Sequence, residues 1–174
     1  LKVIIDNYPE GQTEEVEVDI HPERPELGKA KITFGKEIYV EKSDFMIEPV
    51  KKYFRLFPGN EVRFRGAYFL TCTSYDLDEN GEVTAIHCTY DPASKGGNSP
   101  DGRKVKGTIH WAGPNAFKAE VRLYDRLFTV EDPASVSDEE FPSVINKDSL
   151  IVLKDCLIEE TIKNALPESS FQFM

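Results

Sequence analysis

The feature that most constrains this chain is the alternation of polar and apolar residues in short segments that Gly and Pro interrupt. Residues 15–20 alternate in this way, and so do residues 62–65, 68–73 and 83–90. Successive side chains of a strand point to opposite faces of a sheet, so a period of two predicts half-buried β-strands. Strands spaced by roughly 8–12 residues are typical of an all-β sandwich or barrel.

Turn signals connect these segments. Residues 31–34 and 37–40 flank Gly35-Lys36 and are predicted to form a hairpin, and Asn80-Gly81 predicts a second turn before the strand at 83–90. Only short helices are expected, at residues 46–56, 138–141 and 159–166. Other predicted strands cover residues 3–5, 105–111, 119–128, 150–153 and 170–173.

Charge is unevenly distributed along the chain. The 174 residues include 31 Asp and Glu against 21 Lys and Arg, for a net charge of −10. A chain this acidic does not hold nucleic acid by its overall charge. Residues 49–66 nevertheless carry a net charge of +4 and residues 93–107 a net charge of +3. These two positive islands indicate a directed anion site, and ordinary solvated strand faces stay open as the alternative.

Aromatic residues are interleaved with bases in the first positive island, residues 49–66, at 51–55 and again at 63–65. Arg63 and Arg65 are two residues apart, so on a strand they are expected to share one face, with Phe64 directed to the core. Paired guanidinium groups suit a phosphate or a guanine edge, and the unstacked bases of single-stranded RNA stack on aromatic rings. This composition favours RNA as the ligand.

No catalytic residue and no metal site is predicted. The histidines are far apart and lack metal-ligand spacing, and the three cysteines are expected to be reduced thiols. No apolar run approaches the ~20 residues that span a bilayer, and no secretory signal is present, so we expect a cytoplasmic protein without a membrane partner. Because the chain begins with Leu1, we expect it to be a fragment of a longer protein.

Several motifs follow one another along essentially the whole chain. They are Asn7-Tyr8, His21-Pro22 with Pro25-Glu26 and Gly28, Asp44-Phe45, Tyr53 with Arg55-Leu56, Val62-Arg63 with Arg65, Cys88-Thr89-Tyr90-Asp91, DGRKVKGTIHW at 101–111, RLYDRLF at 122–128, and Phe171-Gln172-Phe173. This collinear series resembles the C-terminal anticodon-binding region of glutaminyl-tRNA synthetases. DGRKVKGTIHW together with RLYDRLF is its most specific part.

The resemblance implies a fold of two six-stranded β-barrels with a few short helices. Residues 1–20 and 115–174 would form a discontinuous proximal barrel, and residues 21–114 the distal barrel. It also implies a class I catalytic domain, N-terminal to this chain, that esterifies tRNA(Gln) with glutamine using ATP and Mg²⁺. The chain itself would then hold no cofactor and be catalytically inactive. Its expected partners are tRNA(Gln) and that catalytic domain, and its expected state is a monomer.

The resemblance also assigns roles to residues. Arg55 would contact the third anticodon base, Arg63 and Arg65 would form the pocket of the first, and Gln172 would read the central uracil, whose edge suits an amide that donates and accepts. Supporting or RNA-backbone contacts are expected from Lys51, Lys52, Tyr53, Arg103, Lys104 and Lys106. Two alternatives stay open: the equivalent domain of a eukaryotic or archaeal-type glutamyl-tRNA synthetase, and a β-domain that binds a protein.

Overall fold

The computed structural model describes residues 1–21, 23–99 and 101–169. Within these ranges the chain forms ten β-strands and six short 3₁₀ helices, and no α-helix. The strands are β1 (Lys2–Ile5), β2 (Thr13–Asp19), β3 (Lys29–Gly35), β4 (Glu37–Tyr39), β5 (Glu61–Phe64), β6 (Phe69–Leu77), β7 (Val83–Asp91), β8 (Thr108–Ile109), β9 (Phe117–Tyr124) and β10 (Leu150–Ile158). The prediction of an all-β fold is confirmed. The strand predicted at 170–173 lies outside the described residues.

Of the three predicted helical stretches, those at 138–141 and 159–166 overlap 3₁₀ helices. The described ranges contain six 3₁₀ helices in all. They are Pro25–Leu27, Lys42–Asp44, Pro92–Ser94, Pro133–Ser135, Phe141–Val144 and Glu160–Ile162. None of the helices in the described ranges is long and apolar enough to cross a membrane. The short helix predicted over 46–56 does not form, and the nearest 3₁₀ helix ends at Asp44. Pro49 disfavours a helical conformation of the residue before it, and Lys52 adopts a left-handed φ of +70°.

Six strands form the largest sheet, in the order β4-β1-β7-β6-β5-β8. β1 is antiparallel to β4 and parallel to β7, with Val3 opposite Ile38 on one side and Ile86 on the other. β5 is antiparallel to β6 and parallel to β8. The number of strands is the one predicted for a single barrel. Two further pairs, β2 with β3 and β9 with β10, form separate two-stranded sheets.

One of the two predicted turns is confirmed and the other is wrong. The Asn80-Gly81 turn joins β6 to β7, and the Asp78 carboxylate accepts hydrogen bonds from the backbone N–H groups of Asn80 and Glu82 at 2.8 and 2.9 Å. By contrast, β3 and β4 do not form a hairpin. β3 pairs with β2 and β4 pairs with β1, so the chain passes from one sheet to another at Gly35-Lys36. Alternation assigns faces to a strand but not its neighbour.

The core lies between the six-stranded sheet and the β2–β3 pair. Its centre is the fully buried ring of Phe34, which lies 5.2–5.3 Å from the rings of Tyr8, Tyr68 and Trp111. Burial of each large apolar side chain contributes about 1.5–3 kcal/mol. The indole Nε1–H of Trp111 donates a hydrogen bond to the Arg65 carbonyl at 2.9 Å, so the core is tied directly to a predicted site residue.

The chain divides into two compact units. One comprises residues 1–116 with the segment from Ile158 onward, and the other comprises residues 117–157. The second unit contains β9 and most of β10, and none of its residues is buried. β1 lies in one sheet with strands of residues 21–114 because its side chains Val3 and Ile5 are fully buried there. The predicted grouping of residues 1–20 with 115–174 in one barrel and of residues 21–114 in the other stays a prediction.

Candidate nucleic-acid interface

Arg55 stands at the end of an extended segment and is anchored by a buried carboxylate. One guanidinium N–H of Arg55 donates to Asp44, whose side chain is almost fully buried, while the Arg55 side chain is 48% exposed. Burial raises the pKa of Asp44, and the nearby charge of Arg55 opposes that shift. The Asn60 amide also donates to the Arg55 carbonyl, at 2.7 Å. These contacts fix the backbone of Arg55 and one end of its guanidinium group, and about half of the side chain stays exposed.

Arg63 lies on β5, on the face opposite the core. Phe64 is fully buried, which confirms the predicted alternation between the two side chains. The Arg63 guanidinium lies over the ring of Phe69, 5.3 Å from its centroid, and Gly97 packs against its methylene groups, where an added Cβ would lie 3.0 Å from Cδ. Its Nε atom is buried and has no hydrogen-bond partner in the described part of the chain. A buried donor without an acceptor is costly, so the packing against Phe69 and Gly97 holds Arg63 in an unfavourable arrangement for that one atom.

Arg65 is positioned differently from the prediction. β5 ends at Phe64, so a shared strand face is not what aligns Arg65 with Arg63. Instead, the Arg65 backbone N–H donates to the Ile109 carbonyl at 3.1 Å, and its guanidinium donates to the Asp19 carbonyl. The side chain is half-buried. Arg65 is thus fixed by contacts with Asp19 of β2, Ile109 of β8 and the buried Trp111. Alternation along one strand cannot indicate contacts with other strands.

The segment that includes β8 links these arginines. The Gly107 carbonyl accepts from the backbone N–H of Arg63 at 3.1 Å, and two residues later Ile109 accepts from Arg65. Gly107 also packs on the backbone of Phe54: its φ is +89°, and a Cβ there would lie 1.9 Å from the Phe54 carbonyl oxygen. The backbones at positions 54, 63 and 65 are therefore all attached to one short segment, and Arg55 follows directly.

The supporting residues fall into two groups. Tyr53 is partly buried, and its hydroxyl donates to the Ser43 carbonyl at 2.9 Å, so its polar end stabilises the segment. The four predicted lysines are exposed, and no carboxylate of the described residues lies within ion-pair distance of them. They are Lys51, Lys52, Lys104 and Lys106. Their ammonium groups are available for an anionic ligand.

Arg103 is held by carboxylates. Its guanidinium forms a two-point contact with Glu61, at 2.9 Å for both N–H···O pairs, and also contacts Asp91 and Asp101. A further N–H donates to Ser99 at 2.7 Å, so each of the five guanidinium donors has a protein acceptor. The hydrogen bonds that Arg103 donates to Glu61, Asp91 and Asp101 raise its pKa. The predicted RNA contact of Arg103 stays a prediction, and in this structure its side chain organises the 91–103 loop.

Two carboxylates anchor the segment after β10, and neither was singled out in the sequence analysis. Glu159 contacts the His110 imidazole at 3.1 Å, and Glu160 accepts from the Thr33 backbone N–H at 2.6 Å. Burial alone would raise the pKa of Glu159, but hydrogen bonds from His110 and Thr161 outweigh it and hold the pKa below its usual value. The predicted site residue Gln172 follows this segment and lies outside the described residues. The described residues contain no cluster of His, Cys, Asp and Glu able to hold a metal ion.

Exposed lysines and partly exposed arginines on an all-β framework are groups that can bind single-stranded RNA. Two family models, both described as the anticodon-binding domain of class I tRNA synthetases (E and Q), match residues 1–91 and 108–174. The chain belongs to this family, and the resemblance inferred from the motifs is confirmed.

Curated relatives refine this assignment. The chain is 50% identical over 174 residues to a protein of Bradyrhizobium diazoefficiens named glutamine–tRNA ligase. Proteins of the same name from Clostridium perfringens and Vibrio parahaemolyticus are 50% and 45% identical to it, over 173 and 174 residues. Each match covers 99% of this chain and 31% of the relative, so the chain spans about a third of the length of these relatives.

Proposed function

We propose that this chain is the part of a glutamine–tRNA ligase that recognises the anticodon of tRNA(Gln). The family supports an anticodon-binding role, and relatives named glutamine–tRNA ligase support glutamine as the amino acid. One structural observation carries the proposal furthest. The backbones of Arg63 and Arg65 are hydrogen-bonded to the short segment around β8, and Arg55 follows Phe54, which packs on Gly107 of that segment.

The chemistry of the site suits bases that are unstacked from one another. One guanidinium N–H of Arg55 donates to Asp44, and the N–H groups that remain can donate to the O6 and N7 atoms of a guanine. The Arg63 side chain is partly exposed and lies over the Phe69 ring, which limits its motion. The exposed lysines would contact phosphates as point charges, which position the RNA without reading its sequence. Gln172 would complete the set by reading the central base.

The remaining roles belong to the full-length enzyme. ATP and Mg²⁺ would act in an N-terminal catalytic domain outside this chain, and the anticodon-binding part would have no activity of its own. Binding energy at the anticodon raises turnover only if it is stronger in the transition state than in the ground state. We further propose that the protein is monomeric and cytoplasmic.

The proposal is tested by titrating the full-length protein with tRNA(Gln) and with a tRNA(Gln) whose anticodon is replaced. Arg65→Ala is expected to reduce the discrimination between the two by about 1–3 kcal/mol, because it removes a base-reading group. Lys104→Ala is expected to weaken both RNAs alike and to reduce the salt dependence of binding. Lys95→Ala is the matched control, since Lys95 is paired with Glu14 and is expected to change neither quantity.

Three results would contradict the proposal. Equal losses on both RNAs for Arg65→Ala would remove its base-reading role. Preference for tRNA(Glu) over tRNA(Gln) would assign the chain to the glutamyl enzyme. Failure to bind any tRNA, with binding to a protein instead, would favour a protein-interaction domain.

A further inference from the structure

Phe54 is an exposed aromatic residue on a firmly anchored segment. Its side chain is 47% exposed. Residues just before and after it are held in place. The Tyr53 hydroxyl donates to the Ser43 carbonyl at 2.9 Å, and the backbone N–H of the fully buried Leu56 donates to the Asp44 carbonyl at 3.0 Å. The ring is therefore kept at the surface by a fixed backbone. Such an arrangement suits a ring that packs against a ligand.

A lysine from a distant part of the chain lies over this ring. The Lys106 Nζ atom is 5.2 Å from the centroid of the Phe54 ring. The neighbouring residue explains how the two meet, because Gly107 packs directly on the Phe54 carbonyl at a distance that leaves no room for a Cβ. The Gly107 carbonyl in turn accepts from the Arg63 backbone N–H. The ring and the ammonium group are thus placed beside a predicted base-reading residue.

Lys52 adds an independent observation two residues before the ring. It adopts a left-handed φ of +70°, a conformation that favours glycine and that costs another residue about 1 kcal/mol or more. Its side chain is exposed and has no carboxylate within ion-pair distance among the residues described. The exposed ammonium group of Lys52 therefore lies two residues from the Phe54 ring in the sequence, on a backbone of restricted conformation.

We propose that Phe54 and Lys106 form a binding site for one unstacked nucleotide. The base stacks on the Phe54 ring, and the ammonium groups of Lys106 and Lys52 contact the phosphates that flank it. This inference rests on the proposed function and adds to it a stacking residue next to the arginines. Stacking on an aromatic side chain tolerates any base, so this site contributes affinity and holds the strand in register while Arg55 and Arg63 select the sequence.

The test uses the full-length protein and tRNA(Gln) that carries 2-aminopurine at each anticodon-loop position in turn. This fluorophore is quenched when it stacks on an aromatic ring. With the natural protein, we expect one labelled position to be quenched on binding. Phe54→Tyr should retain the quenching. Phe54→Leu should abolish it and weaken binding by about 5-fold or more, the effect expected for the loss of one stacked base.

The matched control is Phe141→Leu, which removes an exposed Phe ring, 38% accessible, from the other compact unit. It should change neither the quenching nor the affinity. Lys106→Gln keeps the ring and should preserve the quenching while reducing the salt dependence of binding.

The inference and the proposed function can fail separately. If the natural protein discriminates between anticodons but Phe54→Leu binds and quenches as the natural protein does, the stacking site is overturned and the proposed function stands. The stacking site is also overturned if Phe54→Leu leaves tRNA binding unchanged and weakens only the binding of a protein partner. If the natural protein binds no tRNA, both are overturned. Thermal unfolding of each variant confirms that it is folded before it is titrated.

Discussion

Replacement of Gly107 by Ala tests the central structural claim, that one short segment positions the arginines and Phe54. Gly107 has a φ of +89°, and an added Cβ would lie 1.9 Å from the Phe54 carbonyl oxygen. The left-handed conformation costs Ala about 1 kcal/mol. Relief of the overlap requires displacement of packed backbone, which costs about 1–3 kcal/mol more. The free energy of unfolding should therefore fall by about 2–4 kcal/mol.

Gly81→Ala provides a control for the conformational part of this effect. Gly81 has a φ of +81°, but nothing lies within 4 Å of a Cβ added there. The substitution should lower the free energy of unfolding by about 1 kcal/mol, which is the conformational cost alone. The difference between the two variants isolates the overlap with Phe54.

Urea unfolding followed by tryptophan fluorescence measures both variants. Trp111 is the single tryptophan of the chain, is 1% exposed and belongs to the larger compact unit, so its signal reports on the unit that contains both glycines. Gly107→Ala should also weaken binding of tRNA(Gln), because the segment with Phe54 and Arg55 must move, whereas Gly81→Ala should not. Equal destabilisation by the two substitutions, or unchanged RNA binding by Gly107→Ala, would refute the argument.

Two further predictions concern titratable groups. Hydrogen bonds to Asp6 and Asp76 raise the pKa of His87 above 6.5, so the stability that its charged form contributes is complete below that pH and is lost as pH rises through the raised value. Urea unfolding between about pH 6 and pH 8 should show this decline, and His87→Gln should lack it; an identical decline would exclude His87. The interaction with Cys72, together with burial, raises the pKa of the Cys88 thiol, so a thiol reagent should modify the more accessible Cys156 first. Rapid modification of Cys88 in the native protein would contradict this.

Local patterns predicted the strands and one turn but not the partners of the strands. The alternation at residues 15–20 and 62–65 identified β2 and β5, because side-chain direction depends only on the backbone of that strand. The Asn80-Gly81 turn was predicted because its signal lies within the turn itself. The pairing of β4 with β1 joins residues more than thirty positions apart, as Lys2 opposite Tyr39 shows, and nothing near Gly35 indicates it.

Only part of the site was predicted, because local patterns show the direction of a side chain but not its distant partners. The interleaved bases and aromatics pointed to Arg55, Arg63 and the neighbouring lysines, and alternation placed Arg63 opposite the core. The role of Arg103 in the loop was not predictable, since one of its acceptors, Glu61, is 42 residues away in the sequence. The close approach of Gly107 to Phe54 was equally hidden, because a glycine in a loop has many explanations until its neighbours are known.

The pairing of charges explains how so acidic a chain can present a surface for RNA. Ion pairs among exposed side chains contribute about 0–1 kcal/mol each, so they are weak determinants of stability. They do decide which cations face a ligand. In the second positive island, Lys95 is matched by Glu14 and Arg103 by three carboxylates, whereas Lys104 and Lys106 have no such partner among the described residues. The net charge of that island therefore overstates the number of cations available to RNA. The two that remain, Lys104 and Lys106, lie within three residues of Gly107, whose carbonyl accepts from the Arg63 backbone N–H. Carboxylates elsewhere repel a polyanion from the rest of the surface, so the same acidic residues that lower the net charge restrict where RNA can bind.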